Sequence, residues 1–313
     1  MRIALDIMGG DFAPQEAIKG VKDYLETASS DTHLILIGDE QQALPLLTDA
    51  GITPDRYSFI HASQTIGMNE HPTKALKEKT DSSIAIGFYL LREKKADAFI
   101  SAGNTGAMMV GAFYSIKPME GIQRPTISTL VPKENGSTGL LLDIGINADC
   151  KPENLVQFAI LGTLYARTIL KIENPKVGLL NIGEEEGKGN LLAQATYPLM
   201  KENPKINFIG NIEGRDLFSD KADIIVCEGF TGNVILKLAE SIFDIIQRRN
   251  IRDEYLQHFN FEKYGGTPVL GIAKPVIIGH GISKGIAFKN MILLAEQVIE
   301  SNLLEKIREN FTP

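Results

Sequence analysis

The stretch GLLLDIGIN, residues 139–147, sets an apolar run directly against an aspartate, a glycine and an asparagine. The run is apolar at successive positions instead of alternating, which is typical of a strand covered on both faces. Four other stretches end in the same way, with glycine beside Asp, Asn, Glu or Thr: RIALDIMGGD (2–11), AFISAGNTGA (98–107), VGLLNIGEEEGKGN (177–190) and IIVCEGFTGN (224–233). Five endings of one kind indicate that these strand ends form one common rim.

Strand and helix patterns alternate along the chain. Apolar runs predict strands at Arg2–Asp6, His33–Gly38, Ser58–Ala62, Ala98–Ser101, Thr126–Val131, Gly139–Ile144, Lys176–Ile182, Asn207–Gly210, Asp223–Cys227 and Pro275–Gly279. Apolar residues at three- and four-residue spacing predict helices at Pro14–Leu25, Asn154–Ile172, Asn190–Lys201, Val234–Arg249 and Lys284–Arg308. The alternation predicts an α/β fold, doubly wound, with a mostly parallel sheet flanked by helices. Ligands bind beyond the carboxyl ends of such strands, so we expect Asp143, Gly145 and Asn147 to face a cleft.

Length and composition are those of an ordinary globular protein. With 313 residues the chain can form one large α/β domain or two closely joined ones. We take residues 1–313 as a single catalytic domain. No apolar run approaches the roughly 20 residues of a membrane span, and the N-terminus starts at once with a strand. We therefore expect a cytoplasmic protein without a signal peptide.

Charge and rare residues exclude several classes of protein. A net charge of −7 and the absence of tryptophan argue against general nucleic-acid binding, which uses basic surfaces and stacking platforms. Cys150 and Cys227 lack metal-ligand spacing, which favours two reduced thiols in the cytosol. The five histidines form no metal-binding pair, and His280, beside glycine at a strand end, is the best placed of them. We expect neither a metal nor a cofactor.

Glycine-rich loops after the strands offer backbone N–H groups to an anion. Each of MGGD (8–11), SAGNTGA (101–107), NIGEEEGKGN (181–190) and EGFTGN (228–233) suits an oxyanion or phosphate, but any one of them is equally explained as a strand-to-helix turn. Nucleotide binding is disfavoured, because residues 183–190 miss the P-loop spacing and no G-x-G-x-x-G follows the first strand.

Two features remain open on the residues alone. Lys188 follows three glutamates and is either part of a solvated charge run or a point charge that holds a phosphate or oxyanion. Residues 234–263 form a helical segment in which an apolar stripe precedes Arg248, Arg249 and Arg252. That segment is either a core or dimer helix, or an amphipathic helix that touches a membrane.

Taken together, the strings resemble one family, the bacterial acyl-acyl carrier protein:phosphate acyltransferases. The likeness runs in order through RIALDIMGGDFAP (2–14), ISAGNTGA (100–107), LLLDIGIN (140–147), KPENLVQFAILG (151–162), VGLLNIGEEEGKGN (177–190), NFIGNIEGRDL (207–217), GFTGNVILK (229–237) and YGG (264–266). It departs from the family where Phe12 and Glu228 replace the usual His and Asp, and where the helical segment is shorter than usual.

The resemblance implies a reaction and an assembly. A long-chain fatty acyl group would pass from acyl carrier protein to inorganic phosphate, and the acyl phosphate would then serve a partner acylphosphate:glycerol-3-phosphate acyltransferase in phospholipid synthesis. The implied fold is like that of isocitrate and isopropylmalate dehydrogenases and of phosphotransacetylase. The implied protein is a homodimer that contacts the membrane peripherally, through the helical segment 234–263.

The resemblance also assigns residues. Lys188 and Asn233 match the reacting centre, where phosphate itself is the nucleophile and no activated serine or cysteine is needed. The residues implied in substrate binding are Met8, Gly9, Gly10, Asp11, Gly103, Asn104, Thr105, Gly106, Asp143, Asn147, Gly183, Thr231 and Gly232.

An acidic carrier protein needs a basic docking face, and the sequence offers two. One comprises Lys74, Lys77, Lys79, Arg92, Lys94 and Lys95, and the other Arg248, Arg249 and Arg252. Three alternatives to the main hypothesis stay open: a phosphotransacylase that uses acyl-coenzyme A, a dehydrogenase of related fold, and an inactive scaffold.

Overall fold

The computed structural model describes residues 1–28, 31–260 and 263–311. The chain folds into two compact units, Met1–Met119 with Phe261–Leu304, and Glu120–Asn260 with Glu305–Pro313. Each unit contains a sheet and helices of its own. The single catalytic domain expected over residues 1–313 stays a prediction.

The sheet of the first unit is mostly parallel. Its described strands are β1 (Arg2–Asp6), β2 (His33–Gly38), β3 (Tyr57–His61), β4 (Ala98–Ser101), β10 (Gly266–Leu270) and β11 (Val276–Gly279). They lie in the order β3-β2-β1-β4-β11-β10. Neighbours from β3 to β11 are parallel, and β10 pairs antiparallel with β11. The carboxyl ends of β1, β4 and β11 therefore lie side by side.

The helices of the first unit pack on this sheet. They are α1 (Gln15–Thr27), α2 (Glu40–Asp49), α3 (Pro72–Glu78), α4 (Ser83–Arg92), α5 (Thr105–Gly111) and α9 (Gly285–Glu300), and a π-helical turn, Ala112–Ile116, continues α5. The core joins apolar residues of β1, β2, β4 and β11 to those of α1, α2 and α9; Ile3, Leu5 and Phe288 are among the fully buried members. Burial of such side chains contributes about 1.5–3 kcal/mol each.

The second unit has a sheet of five described strands. Its described elements are β5 (Thr126–Pro132), β6 (Thr138–Leu142), α6 (Pro152–Thr168), β7 (Lys176–Leu180), α7 (Leu191–Lys201), β8 (Asn207–Ile212), β9 (Ile224–Val226) and α8 (Gly229–Arg248), and α10 (Leu303–Phe311) ends the described chain. The strands lie in the order β5-β6-β9-β7-β8. Neighbouring strands from β6 to β8 are parallel, and β5 is antiparallel to β6. The carboxyl ends of β6, β9 and β7 thus lie at one edge.

The structure confirms the mostly parallel α/β architecture and corrects several details. β10 was not expected. The helix predicted over Lys284–Arg308 is two helices, because Asn302 adopts a left-handed conformation (φ 55°) that ends α9. In the part of the chain that the structure describes, no helix is long and apolar enough to cross a membrane.

Candidate functional site

The loop after β6 is organised by Asp143, whose side chain is fully buried. Its carboxylate accepts hydrogen bonds from the backbone N–H groups of Gly145 (3.2 Å), Ile146 (3.3 Å) and Asn147 (2.8 Å). Burial raises the pKa of this carboxyl group, and hydrogen bonds from Asn147, Ile146 and Gly145 oppose the rise. The expectation that Asp143 faces a cleft is therefore wrong, because this side chain holds its own loop.

Asn147 is buried as well, with only 6% of its surface exposed. Its side-chain Nδ2 donates to Pro125 O (2.8 Å) and to Asp143 Oδ2 (2.7 Å), which uses both of its N–H hydrogens. The expected cleft-facing position of the Asn147 side chain is also wrong. Of Asp143, Gly145 and Asn147, which were expected to face a cleft, only Gly145 is exposed. Its φ of 140° is a conformation that suits glycine.

The first turn of α8 rests directly on that loop. Gly229 N donates to Asn147 O (2.8 Å), and Asn233 Nδ2 donates to Ile144 O (3.2 Å). A Cβ atom at Gly232 would lie 1.9 Å from Asp143 O, so only glycine permits this approach. The expected site residues Asp143, Asn147, Gly232 and Asn233 are therefore brought together. Asn233 is exposed, and among the residues that the structure describes its side chain makes the one hydrogen bond to Ile144 O, which leaves its second N–H hydrogen and its oxygen unused there.

Glu228 caps the N-terminus of α8. Its carboxylate accepts from Phe230 N (2.6 Å) and Thr231 N (3.0 Å), and the Thr231 hydroxyl also donates to it. A carboxylate at this position is favoured by the positive end of the helix dipole. The helix terminus thus already holds an anion of the chain itself, and the Thr231 hydroxyl hydrogen serves Glu228.

Lys188 lies in the loop between β7 and α7 and is exposed. A Cβ atom added at Gly183 would lie 3.2 Å from Cγ of Lys188, so these two expected site residues lie together. Two of the three neighbouring glutamates are paired elsewhere: Glu184 contacts Lys221 Nζ (2.6 Å), and Glu186 contacts Lys201 Nζ (3.0 Å).

Those ion pairs determine which charges near Lys188 are already neutralised. Hydrogen bonds that the two lysines donate to these glutamates raise the pKa of Lys201 and of Lys221, so both lysines stay charged at neutral pH. The Lys188 ammonium group forms no ion pair with another of the described residues, and Glu185 is the one of the three glutamates that no described lysine engages. That arrangement suits a cation that binds a mobile anion.

A cavity of about 480 Å³ lies where the loops after β6, β7 and β9 converge. Its polar lining includes Cys150, Asn190 and Glu228, and its apolar lining includes Leu191 and Phe230. Leu191 is 85% and Phe230 is 67% exposed, which is high for large apolar side chains. The cavity therefore offers both a polar end and an apolar lip, and Lys188 lies two residues before its lining residue Asn190.

The cysteines are not activated. Burial, followed by the nearby Asp143 carboxylate, raises the pKa of Cys150 to about 12. Burial also raises the pKa of Cys227 well above its usual value. Neither thiol therefore forms a thiolate near neutral pH. Among the described residues, no group of three or more His, Cys, Asp or Glu is placed to hold a metal ion.

In the first unit the loops after β1, β4 and β11 also meet. Asp6 is buried, and its carboxylate accepts from Met8 N (2.9 Å) and Ser101 Oγ (2.7 Å). Burial raises the pKa of Asp6, against hydrogen bonds from Ser101 and others. A Cβ atom at Gly9 would lie 2.6 Å from Gly103 N, so the two loops touch at their glycines.

The other expected residues of the first unit fall into two groups. Asp11 and Thr105 are exposed, and Asp11 N donates to Gly281 O (2.7 Å), close to Gly10. Asn104 is buried instead: it caps α5 by accepting from Ala107 N (2.9 Å) and donates to the backbone of residues 67–70, whereas Gly106 packs beside Pro72.

Sequence reasoning missed the cavity lining. Leu191 and Phe230 each follow closely on a helix-capping residue, and an apolar residue there is ordinarily assigned to the core. Their exposure becomes visible only once the three loops are placed. The available signal was the proximity of both residues to glycine-rich loops already singled out.

Comparison with known proteins places the chain among lipid-synthesis enzymes. A model of the fatty acid synthesis protein family matches residues 1–306. The chain is 43% identical over 332 residues to the phosphate acyltransferase of Dictyoglomus turgidum, covering 99% of this chain and 97% of that protein. It is 44% identical over 329 residues to the phosphate acyltransferase of Halothermothrix orenii, covering 99% and 98%.

Solved structures are similar in fold at low sequence identity. A phosphotransacetylase from Streptococcus pyogenes matches with a TM-score of 0.66 at 20% identity, covering 96% of this chain and 94% of that one. A 4-hydroxythreonine-4-phosphate dehydrogenase from Klebsiella pneumoniae matches with a TM-score of 0.57 at 13% identity, covering 95% and 97%. Both likenesses confirm the predicted fold class.

Proposed function

The chain belongs to the fatty acid synthesis protein family, together with the phosphate acyltransferases, and from that membership we propose that it moves a long-chain fatty acyl group from acyl carrier protein to inorganic phosphate. Acyl transfer to phosphate is the activity in the names of its relatives. A phosphate oxygen forms the new bond to the acyl carbon, the carbon–sulfur bond breaks, and the carrier's sulfur leaves as a thiolate that takes up a proton. The product is an acyl phosphate.

One observation carries this proposal: the cavity at the carboxyl ends of β6, β7 and β9 has a polar end, an apolar lip and, in Cys150, a thiol that stays protonated. A reaction in which phosphate is the nucleophile requires no activated side chain. It requires an anion held beside a thioester and stabilisation of the tetrahedral oxyanion.

Within that proposal, the roles follow from position. The Lys188 ammonium group neutralises phosphate or the oxyanion, and Asn233 orients one of them through its remaining hydrogen-bonding atoms. Asp143, Asn147, Gly232 and Gly183 act by holding the loops, since their contacts lie within the protein.

The assembly is a further part of the proposal. α8 exposes Val234, Leu238, Ile242 and Ile245 at helical spacing, which supports a homodimer contact or a peripheral contact with the inner face of the cell membrane. After α8 the chain folds back, with Phe259 packed on Phe218 at 5.0 Å between ring centroids. The expected segment 234–263 includes two residues, 261 and 262, that lie outside the described residues. A cytoplasmic location and delivery of acyl phosphate to a partner acylphosphate:glycerol-3-phosphate acyltransferase complete the proposal.

The donor is the point to test, because acyl-coenzyme A would serve the same chemistry. Purified protein is given palmitoyl-acyl carrier protein or palmitoyl-coenzyme A at equal concentration with phosphate, and the free thiol is measured. We expect a kcat/KM at least tenfold higher with the carrier protein. A preference for coenzyme A would instead assign the chain the alternative activity, that of a phosphotransacylase.

A further inference from the structure

A second concave surface lies in the first unit. It is a groove of about 290 Å³ between α3, α4, α5 and the π-helical turn. Leu76, Phe88 and Val110 contribute its apolar lining. Small-molecule sites typically measure about 300–1,000 Å³, so this groove has room for a few side chains rather than for a whole cofactor.

Two aromatic side chains form the lips of the groove. Tyr89 on α4 is 45% exposed, and Tyr114 in the π-helical turn is 69% exposed. Exposed tyrosines beside an apolar depression are typical of binding surfaces, because each provides a large rigid contact area and a polar tip.

Cationic side chains surround these lips. Lys77 and Arg92 line the groove itself, and the Arg92 guanidinium and Lys95 ammonium lie 5.7 Å and 5.0 Å from the centre of the Tyr89 ring. Glu93 contacts Arg92 Nε at 3.0 Å, and Glu78 ends α3 nearby. Within the described residues, Lys77 forms no ion pair. Lys79, by contrast, is engaged by Glu70 at 2.5 Å and does not belong to this rim.

An apolar groove with a cationic rim fits one class of partner, an amphipathic helix whose polar face is acidic. The protein as a whole carries a net charge of −7, so a local basic rim is what an acidic partner requires in order to approach. Of the two basic faces considered from sequence, this one combines charge with a depression into which apolar side chains can insert.

The groove is also close to the expected substrate loops of its own unit. α5 begins at Thr105 beside its cap Asn104, and Val110 lies five residues further along the helix. At 1.5 Å per residue that separation is about 8 Å. A protein docked in the groove would therefore hold a flexible thioester arm near the start of α5.

We propose that the groove formed by α3, α4 and α5 is the docking site for an acidic helix of the acyl carrier protein that donates the acyl group. This inference rests on the proposed function for the identity of the partner. The apolar face of the helix inserts between Tyr89 and Tyr114, and its carboxylates meet Lys77 and Arg92.

Direct binding tests the groove separately from turnover. Fluorescently labelled holo-acyl carrier protein is titrated with the full-length wild-type protein and with Lys77→Glu/Arg92→Glu, and anisotropy gives the Kd. The matched control, Lys19→Glu/Lys306→Glu, makes the same change in net charge on exposed lysines of α1 and α10. Palmitoyl transfer to phosphate is measured in parallel for all three proteins, and circular dichroism verifies that each is folded.

We expect the Kd of the groove variant to rise about tenfold, since two attractive contacts become repulsive, and the Kd of the control to stay within about twofold. The wild-type affinity should also weaken with salt more steeply than that of the groove variant. With the carrier-protein donor, KM should rise while kcat and the phosphate KM are retained.

The outcomes separate the two proposals. Equal affinity of wild type and groove variant, or no binding by the wild type, would overturn the docking site whatever the turnover. Groove-dependent binding without palmitoyl transfer would retain the docking site and overturn the proposed function. A groove variant whose oligomeric mass changes while carrier binding is unaltered would assign the groove to contact with a second copy.

Discussion

Replacement of Lys188 by alanine removes the one cation that the proposed reaction requires. The side chain is exposed, and two of its three acidic neighbours, Glu184 and Glu186, are held by Lys221 and Lys201. Glu185, whose carboxylate lies beside Gly183 as the Lys188 stem does, is the neighbouring carboxylate that competes with the phosphate dianion or the oxyanion for the ammonium group. We expect both a lower kcat and a higher KM for phosphate.

The size of the loss follows from the exposure of Lys188. Two unit charges 4 Å apart attract by about 1 kcal/mol in bulk water and by about 4 kcal/mol at the effective dielectric constant of a protein surface. The exposed loop places Lys188 between these limits, which corresponds to a loss in kcat/KM for phosphate of roughly 5-fold to 10³-fold. Lys188→Arg keeps the charge but changes the geometry, so it should recover part of the loss.

The assay follows acyl phosphate formed from palmitoyl-acyl carrier protein over a range of phosphate concentrations. Lys306→Ala is the matched control, because it removes an exposed lysine of the same formal charge from α10. Lys201→Ala releases Glu186 and should raise the phosphate KM by a smaller factor than Lys188→Ala. A Lys188→Ala enzyme with unchanged kcat and unchanged phosphate KM would refute the role given to this residue.

Three more changes probe buried contacts. Gly232→Ala places a Cβ 1.9 Å from Asp143 O, so the free energy of unfolding measured in urea should fall by about 1–3 kcal/mol, and activity should fall with it. An unchanged midpoint of urea unfolding would contradict this close approach. Lys133→Ala removes the ion-pair partner of Asp223 at 2.6 Å, while Lys176 N still donates to Asp223 at 2.8 Å, and should cost about 1–3 kcal/mol in the same titration, part of which Lys133→Ala/Asp223→Ala should restore. Asp6 has a raised folded pKa, so the folded state holds a proton that the unfolded state has lost. The difference between the free energies of unfolding of wild type and of Asp6→Asn should therefore fall as pH rises from 3.8 to the folded pKa. The fall should be about 1.4 kcal/mol per unit by which folding raises the pKa, and a pH-independent difference would contradict a raised pKa for Asp6.

The strands were predictable because burial on both faces leaves a simple pattern. Runs such as residues 139–142 are apolar at successive positions, and the structure covers both faces of β6. β10 was not predicted because its sequence GTPVL contains Gly266 and Pro268, which are typical of turns and edge strands. The helix over 284–308 was predicted as continuous because apolar spacing persists across Asn302, whose left-handed conformation depends on its local backbone.

The convergence of the strand endings was predictable, and the directions of their side chains were less so. Strand endings rich in glycine, Asp and Asn do meet at the edges of the two sheets, since parallel strands bring their carboxyl ends together. A short polar side chain after a strand can face a ligand or its own loop N–H groups with equal ease, and Asp143 and Asn147 take the second course.

The surroundings of Lys188 depend on contacts that no local pattern contains. The lysines that engage Glu186 and Glu184 lie 15 and 37 positions away along the chain. Their pairing decides whether the loop 184–188 is a uniform charge run or a loop with one available cation. That the Lys188 ammonium group holds a phosphate or an oxyanion stays a prediction.

The most direct test of the central claim, that phosphate is the acyl acceptor, is product analysis with palmitoyl-acyl carrier protein in the presence and absence of phosphate. Purified protein is incubated with the thioester and the free carrier protein is quantified; hydroxylamine then traps acyl phosphate as a hydroxamate, and the hydroxamate that the thioester forms in a sample without the protein is subtracted. We predict that carrier release requires phosphate and that one equivalent of acyl phosphate forms for each carrier released. Release of free fatty acid without phosphate, or no release under either condition, would contradict the claim.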